Sequence, residues 1–170
     1  ERTKSSQASI LFTRSADRFG ILYNIRSLHN VGSIFRTADG AGMKKLYLTG
    51  YTPAPVDELG RVRKEIHKTA LGAEKFVLWE KVSNVSKLID RLRKEGITVV
   101  ALEYTKSARD INTFRAPRKC ALLVGNEVRG ISSAILKKCD AVIKIPMRGR
   151  KKSLNVSVAF GIAAHFLIYK

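Results

Sequence analysis

Apolar runs of strand length alternate with helix-period segments from residue 21 onward. A short apolar run covers 21–24. The next segment, 33–41, reads as a helix in which Ile34, Phe35, Ala38 and Ala41 cluster and Gly42 is the stop. Residues 45–49 form a strand, a Pro-containing loop follows over 51–56, and 76–79 is another strand. Val85, Leu88, Ile89 and Leu92 recur at helical spacing, one face of a helix that Gly96 closes. The continuous β-branched run 97–102 and the similar run 120–124 have the character of strands buried on both faces. A short serine-capped helix over 132–139, a strand over 141–145 ended by Pro146, and a last helix over 154–169 complete the pattern. This alternation predicts an α/β fold, a mostly parallel sheet sandwiched by helices, with no internal repeat or low-complexity linker.

Composition agrees with that picture, and charge adds to it. At 170 residues the chain has the length of one domain and should bury roughly 68–70% of its unfolded surface. A content of 45% hydrophobic and 27% charged residues is that of a globular protein and excludes wholesale disorder. Lys and Arg number 32 against 14 Asp and Glu, a net charge of +18 that opposes compaction and attracts polyanions. Nucleic acid is therefore the first partner to expect and an anionic membrane surface the second. Residues 1–20 read as a basic N-terminal tail without a signal-peptide core, trimmed of an initiator Met, and the domain is expected over 21–170. The most apolar stretch, 154–169, falls about four residues short of a bilayer span and carries Asn155, Ser157 and His165. It reads as a buried helix, so no membrane partner and a cytoplasmic location are expected. Cys120 and Cys139 are too few for a disulfide framework and read as reduced, buried thiols. With His29, His67 and His165 scattered, no zinc set assembles and no metal is expected.

Several familiar chemistries are missing. No G-x-G-x-x-G follows a strand, and neither G-x-S-x-G nor H-E-x-x-H occurs. The stretch 125–132 has the glycine spacing of a phosphate-binding loop, yet Ile131 stands where its Lys must be.

Three segments do carry candidate chemistry. In the first, Asn30-Val-Gly-Ser-Ile-Phe-Arg36, Asn30 is either a helix cap or a functional amide. Arg36, inside an otherwise apolar helix, is either solvated or a guanidinium directed at phosphate or ribose. In the second, 122–131, an apolar strand runs straight into the loop Gly125-Asn126-Glu127-Val-Arg-Gly130, the place where α/β sheets put ligands. Gly125 permits close backbone approach and Gly130 a left-handed turn. In the third, 145–159, a strand ends at Pro146 and a loop with Arg148, Arg150, Lys151 and Lys152 follows. Ser153 is a candidate cap for the last helix, with Leu154 and Asn155 in its first turn. So polar a start to an apolar helix is costly to bury unless partners or a ligand satisfy it.

Together the three segments resemble the SpoU/TrmH family of RNA ribose 2′-O-methyltransferases, within the SPOUT superfamily. The motifs Asn-x-Gly-x-x-x-Arg, Gly-Asn-Glu-x-x-Gly and Ile-Pro-Met followed by Ser-Leu-Asn-Val-Ser stand in that order, and the resemblance covers residues 22–170. It implies a parallel sheet of five or six strands with a C-terminal trefoil knot, a feature that generic topology rules disfavour. It further implies S-adenosylmethionine as cofactor, held by Leu102, Gly125, Asn126, Ile145, Met147 and Leu154, and catalytic or positioning roles for Asn30, Arg36, Glu127, Ser153 and Asn155. RNA, tRNA or rRNA, is the implied substrate and a homodimer the implied assembly.

An Arg stays protonated, so Arg36 is expected to hold a phosphate and stabilise a developing alkoxide rather than act as a base. Glu127 is expected to orient Asn30 or Arg36. The run 144–152 carries five basic residues and no acid, which points Arg148, Arg150, Lys151 and Lys152 toward RNA. Arg61, Arg63, Lys64, Arg115, Arg118 and Lys119 would widen that surface if the fold brings them near. Two other functions stay open at this point: a non-catalytic RNA-binding or assembly protein that retains the fold, and methylation of a base.

Overall fold

The structure, a computed structural model, describes residues 16–169; residues 1–15 of the expected tail, and Lys170, lie outside the described residues. Seven strands form one sheet: β1 (Asp17–Tyr23), β2 (Lys45–Thr49), β3 (Leu78–Val82), β4 (Thr98–Leu102), β5 (Arg109–Asp110), β6 (Lys119–Val124) and β7 (Ala141–Lys144). Their order is β3-β2-β1-β6-β4-β7-β5, and every pairing is parallel. The helices are α1 (Leu28–Gly40), α2 (Lys64–Ala70), α3 (Val85–Lys94), α4 (Ser133–Leu136) and α5 (Val156–Tyr169).

Continuous apolar strands are explained by the layers they separate. On one face, Leu22, Leu46, Leu48, Leu122 and Val124 pack with Ile34, Phe35 and Ala38 of α1, Ile66 of α2, and Phe160 and Ala164 of α5. On the other, Ile21, Val99, Ala121 and Leu123 meet Val85, Leu88, Ile89 and Leu92 of α3 and Ile135 of α4. Successive residues of β6 thus alternate between two buried layers, so neither face can be polar. The mostly parallel, helix-covered sheet expected from the sequence is present. It has seven strands instead of five or six, the added edge being the two-residue β5.

Several boundaries differ for physical reasons. β1 begins at Asp17, inside the stretch expected to be tail, because Arg18 is buried and anchors it. Its guanidinium donates to the Leu167 carbonyl at 2.8 Å and to the Pro117 and Arg118 carbonyls at 2.6 and 2.8 Å, a cation at the carboxyl end of α5. The third strand is shifted to 78–82, since Phe76 closes a 3-10 turn and is 77% exposed. α1 starts at Leu28 rather than 33, with Ser27 as its cap: Ser27 Oγ accepts from the Asn30 N–H at 3.2 Å. α5 starts at Val156, after Asn155. The seven-residue α2 lacked a long enough periodic stretch to be legible in the sequence.

Cys120 is buried and Cys139 half-buried, both free thiols. Burial pushes both thiols up, Cys139 to about 11. No helix among the described residues is long and apolar enough to cross a membrane.

α1 and α2 pack through Gly32. A Cβ there would run into Thr69 Oγ1 and the Ile66 carbonyl oxygen, so only glycine allows the two backbones to approach this closely. We expect Gly32→Ala to lower stability by about 1–3 kcal/mol in urea unfolding. Unchanged stability would mean that the two helices separate without cost.

Candidate functional site

Ligand chemistry in an open parallel sheet belongs at the carboxyl ends of its strands. Here three such ends, those of β4, β6 and β7, open onto one cleft of about 200 Å³. Leu102, Glu103 and Tyr104 line it from the end of β4 and the loop after it, and Val124 to Gly130, except Arg129, from the end of β6 and its loop. The segment between β7 and α5 adds Ile145, Met147, Lys152, Ser153 and Leu154. All six residues expected to hold a cofactor, Leu102, Gly125, Asn126, Ile145, Met147 and Leu154, therefore meet at this cleft.

The second of these loops is rigidly built. A Cβ on Gly125 would lie 2.6 Å from Ile131 Cγ1 and 2.7 Å from the Gly130 carbonyl carbon, so the loop closes on itself. Gly130 has φ +64°, and Glu103 supports the turn by accepting from the Ile131 N–H at 2.8 Å. Asn126 is nearly fully buried, and its side chain is occupied by protein groups. Nδ2 donates to the Asn24 carbonyl at 2.9 Å and to the Tyr51 hydroxyl at 3.0 Å, while Oδ1 accepts from the Val128 and Arg129 N–H groups. Its amide shapes the loop.

Glu127 then joins the loop to α1. Its carboxylate accepts from the Arg26 N–H at 3.1 Å, the Ser27 N–H at 3.0 Å and Asn30 Nδ2 at 3.1 Å. Partial burial pushes its pKa up, but the donations from Arg26, Ser27 and Asn30 outweigh that, and the carboxyl sits below its ordinary range. An acid held ionised, with its lone pairs engaged, is a poor proton acceptor and a good anchor. Asn30 continues the chain, its Oδ1 accepting from Asn155 Nδ2 at 3.1 Å. Asn155 Oδ1 accepts from the Ser157 N–H at 2.9 Å, and its carbonyl from the Ala159 N–H, so Asn155 rather than Ser153 caps α5. Asn30, in turn, is not a cap; Ser27 takes that place and frees the Asn30 side chain.

Residues from all three sequence segments are thus brought together: Asn30, Glu127 and Asn155 in one hydrogen-bonded line, with Ser153 on the cleft wall. Arg36 is not among them. It is exposed on α1, does not line the cleft and has no polar partner among the described residues. Glu127 therefore orients Asn30 and not Arg36. Of the basic loop, Lys152 reaches the cleft wall, while Arg148, Arg150 and Lys151 are exposed beyond it. Sequence reasoning missed three contributors: the N–H groups of Arg26 and Ser27, and Glu103. The Ser27-x-x-Asn30 cap spacing and an acid directly after an apolar strand were the available signals. Among the described residues no group of His, Cys, Asp and Glu is placed to hold a metal ion.

Against known proteins, the profile of the SpoU rRNA Methylase family matches residues 18–165. A Staphylococcus aureus protein assigned to the TrmH family of tRNA/rRNA methyltransferases is 33% identical over 150 residues, 88% of this chain and 58% of that protein. The chain spans 53–58% of the length of these curated relatives. An AdoMet-bound rRNA methyltransferase from Sinorhizobium meliloti superposes with a TM-score of 0.81 at 28% identity, covering 91% of this chain and 56% of that one. A further solved structure, from work on 2-OH methylation of C/U34 on tRNA, gives a TM-score of 0.75 at 25% identity, with 89% and 94% covered.

The lowered pKa of Glu127 has a testable sign. Because the unfolded chain takes up this proton first as pH falls, the stabilisation is complete above about pH 4.3 and is lost as pH drops through the folded value. Glu127→Gln is expected to be less stable than wild type at neutral pH, with the gap narrowing below that range in urea melts. A gap independent of pH would show that the charge does not hold the loop.

Proposed function

The chain belongs to the SpoU rRNA Methylase family, and from that premise we propose that it is an S-adenosylmethionine-dependent RNA methyltransferase acting on a ribose 2′-hydroxyl of tRNA or rRNA. The observation that carries this reading is the line Glu127–Asn30–Asn155, built from three distant segments at the edge of a cleft with both polar and apolar walls. The line fixes three segments beside the cleft and leaves one amide N–H on each of Asn30 and Asn155 uncommitted.

The cleft suits the cofactor chemically. Leu102, Ile145, Met147 and Leu154 offer apolar contact to an adenine ring, and the closeness of Gly125 to Gly130 keeps side-chain bulk out of the cradle. When bound, S-adenosylmethionine supplies an electrophilic methyl group on a sulfonium. The chain's own part is orientation. Each of Asn30 and Asn155 commits one amide N–H within the line and keeps a second for a substrate oxygen. Ser153 adds a hydroxyl on the same wall. Glu127, ionised and engaged, fixes Asn30 and takes no proton. Arg36, permanently charged, holds an RNA phosphate and stabilises negative charge on the ribose oxygen, whose proton leaves to phosphate or water.

On this reading Arg36 acts from a second copy. It is exposed and does not line the cleft of its own chain, and Leu154, Val158 and Ile162 stand exposed at four-residue spacing, starting from the cleft wall, an apolar stripe suited to a homodimer. The same reading includes a C-terminal trefoil knot, with residues 145–155 threaded past the loops after β4 and β6. Its support is that all three loops wall one cleft before α5 turns back onto α1. The domain runs from β1 to α5, the basic loop at 148–152 meets RNA, and the enzyme works where its RNA is, in the cytoplasm.

Two measurements test the proposal. Calorimetry should detect S-adenosylmethionine binding; its absence would favour a non-catalytic RNA-binding protein. Arg36→Ala and Asn155→Ala should each lose most turnover, and mixing the two variants should restore part of it, because one site of the mixed dimer is intact. No recovery on mixing would contradict a contribution from the second copy, and full turnover by Arg36→Ala would remove its role.

A further inference from the structure

Beside the cleft, across the loop that carries Glu127, lies a second and wider groove of about 670 Å³. Asn126 and Val128 wall both hollows, so the two are neighbours on one surface. The groove's charged lining is Arg26, Arg63 and Arg129, without an acid among its wall residues. None of the three guanidinium groups has an ion-pair or hydrogen-bond partner among the described residues, and Arg63 Nε is buried without one. The nearby acid Asp57 is engaged by Arg61, whose Nε lies 2.8 Å from its Oδ2.

A further cation stands at the turn that carries Tyr51. Lys81 Nζ donates to the Gly50 carbonyl at 2.6 Å and to the Thr52 carbonyl. Burial and then the positive charge of Arg63 lower its pKa. Asp57 attracts Arg63 from outside the wall and the Glu127 carboxylate stands beside Arg26, but both acids are already engaged, so the three arginines leave an excess of positive charge that favours an anion in the groove. The fourth feature is aromatic. Tyr51 is held at both ends, its N–H donating to Asn24 Oδ1 at 3.2 Å and its hydroxyl accepting from Asn126 Nδ2, yet the residue is 56% exposed. A fixed, exposed ring beside free guanidinium groups is the chemistry that takes a nucleotide of single-stranded RNA, base on ring and phosphate on Arg.

We propose that this groove binds the nucleotide adjoining the one presented to the cleft, its phosphate on Arg26, Arg63 and Arg129 and its base against Tyr51. The inference rests on the reading that the substrate is RNA, and adds a subsite distinct from the basic loop at 148–152. Fixing the neighbouring nucleotide this way limits how the target ribose enters and favours unpaired over helical RNA, whose bases are stacked and unavailable to Tyr51.

The test uses the full chain and a short fluorescein-labelled single-stranded RNA of mixed sequence, followed by anisotropy across a salt series. Arg63→Gln with Arg129→Gln should weaken binding about tenfold or more, and the log–log salt slope should flatten by about 0.7 for each phosphate no longer neutralised. Tyr51→Ala should weaken binding about fivefold or more with the slope unchanged, while Tyr51→Phe, which keeps the ring and loses only its bond to Asn126, should weaken it less. Thermal melts and S-adenosylmethionine calorimetry should be unaltered in the arginine variant, which keeps the test valid if Tyr51→Ala disturbs the loop. Wild-type affinity and slope in the arginine variant, with Arg150→Gln, Lys151→Gln and Lys152→Gln together still weakening RNA, would overturn the groove and leave the RNA reading intact. A wild-type protein without RNA affinity would overturn both.

Discussion

One carboxylate holds the functional end of this molecule together. Glu127 projects from the loop after β6 and accepts from the backbone of Arg26 and Ser27, at the start of α1, and from the side chain of Asn30. Through Asn30 its hold extends to Asn155 and thus to the start of α5. Two helix starts and one strand-end loop, distant in sequence, are tied by four hydrogen bonds of which three are charge-assisted. The acid sits before the positive end of α1, bound to the Arg26 and Ser27 N–H groups that lead into the helix, and the helix dipole adds to the attraction. Without that anchor the cleft would have walls but no fixed relation between them.

The fold explains how so basic a chain tolerates its charge. Cations are kept out of the two apolar layers, apart from Arg18, whose guanidinium is solvated by the Leu167 carbonyl at the end of α5 and by the Pro117 and Arg118 carbonyls before β6. Several others pair on the surface, as Lys45 and Arg91 do with Glu80 at 2.6 and 3.0 Å, pairings worth about 0–1 kcal/mol each. Two unpaired groups flank the cleft, the 148–152 loop on one side and Arg26, Arg63 and Arg129 on the other. Of the residues expected to widen the basic surface, Arg63 does so on the side away from that loop, whereas the Arg118 carbonyl is used to hold Arg18.

Much of the layering was legible in the chain because burial on both faces demands continuous apolar strands. The strand at 45–49 and the amphipathic helix starting at Val85 stand where the pattern put them. The three motif segments were legible too, and the fold brings their Asn30, Glu127 and Asn155 side chains together. What the pattern could not reveal depends on long-range packing. Arg18 is buried only because α5 returns to β1, so a basic residue near the chain start looked like tail. Asn30 looked like a cap because Ser27, the true cap, lies just before the apolar period begins. Arg36 lies in the same motif as Asn30, yet a six-residue offset on a helix turns it to another face, out of its own cleft.

The central claim is that the cleft and the Glu127 line serve transfer of a methyl group to ribose. It is tested most directly by incubating the protein with total tRNA and rRNA and methyl-deuterated S-adenosylmethionine, then digesting the RNA and measuring nucleosides by mass spectrometry. Deuterium is expected in a 2′-O-methylated nucleoside, released with the ribose fragment. Deuterium on a base, or none in any nucleoside while the protein binds the cofactor, would contradict it.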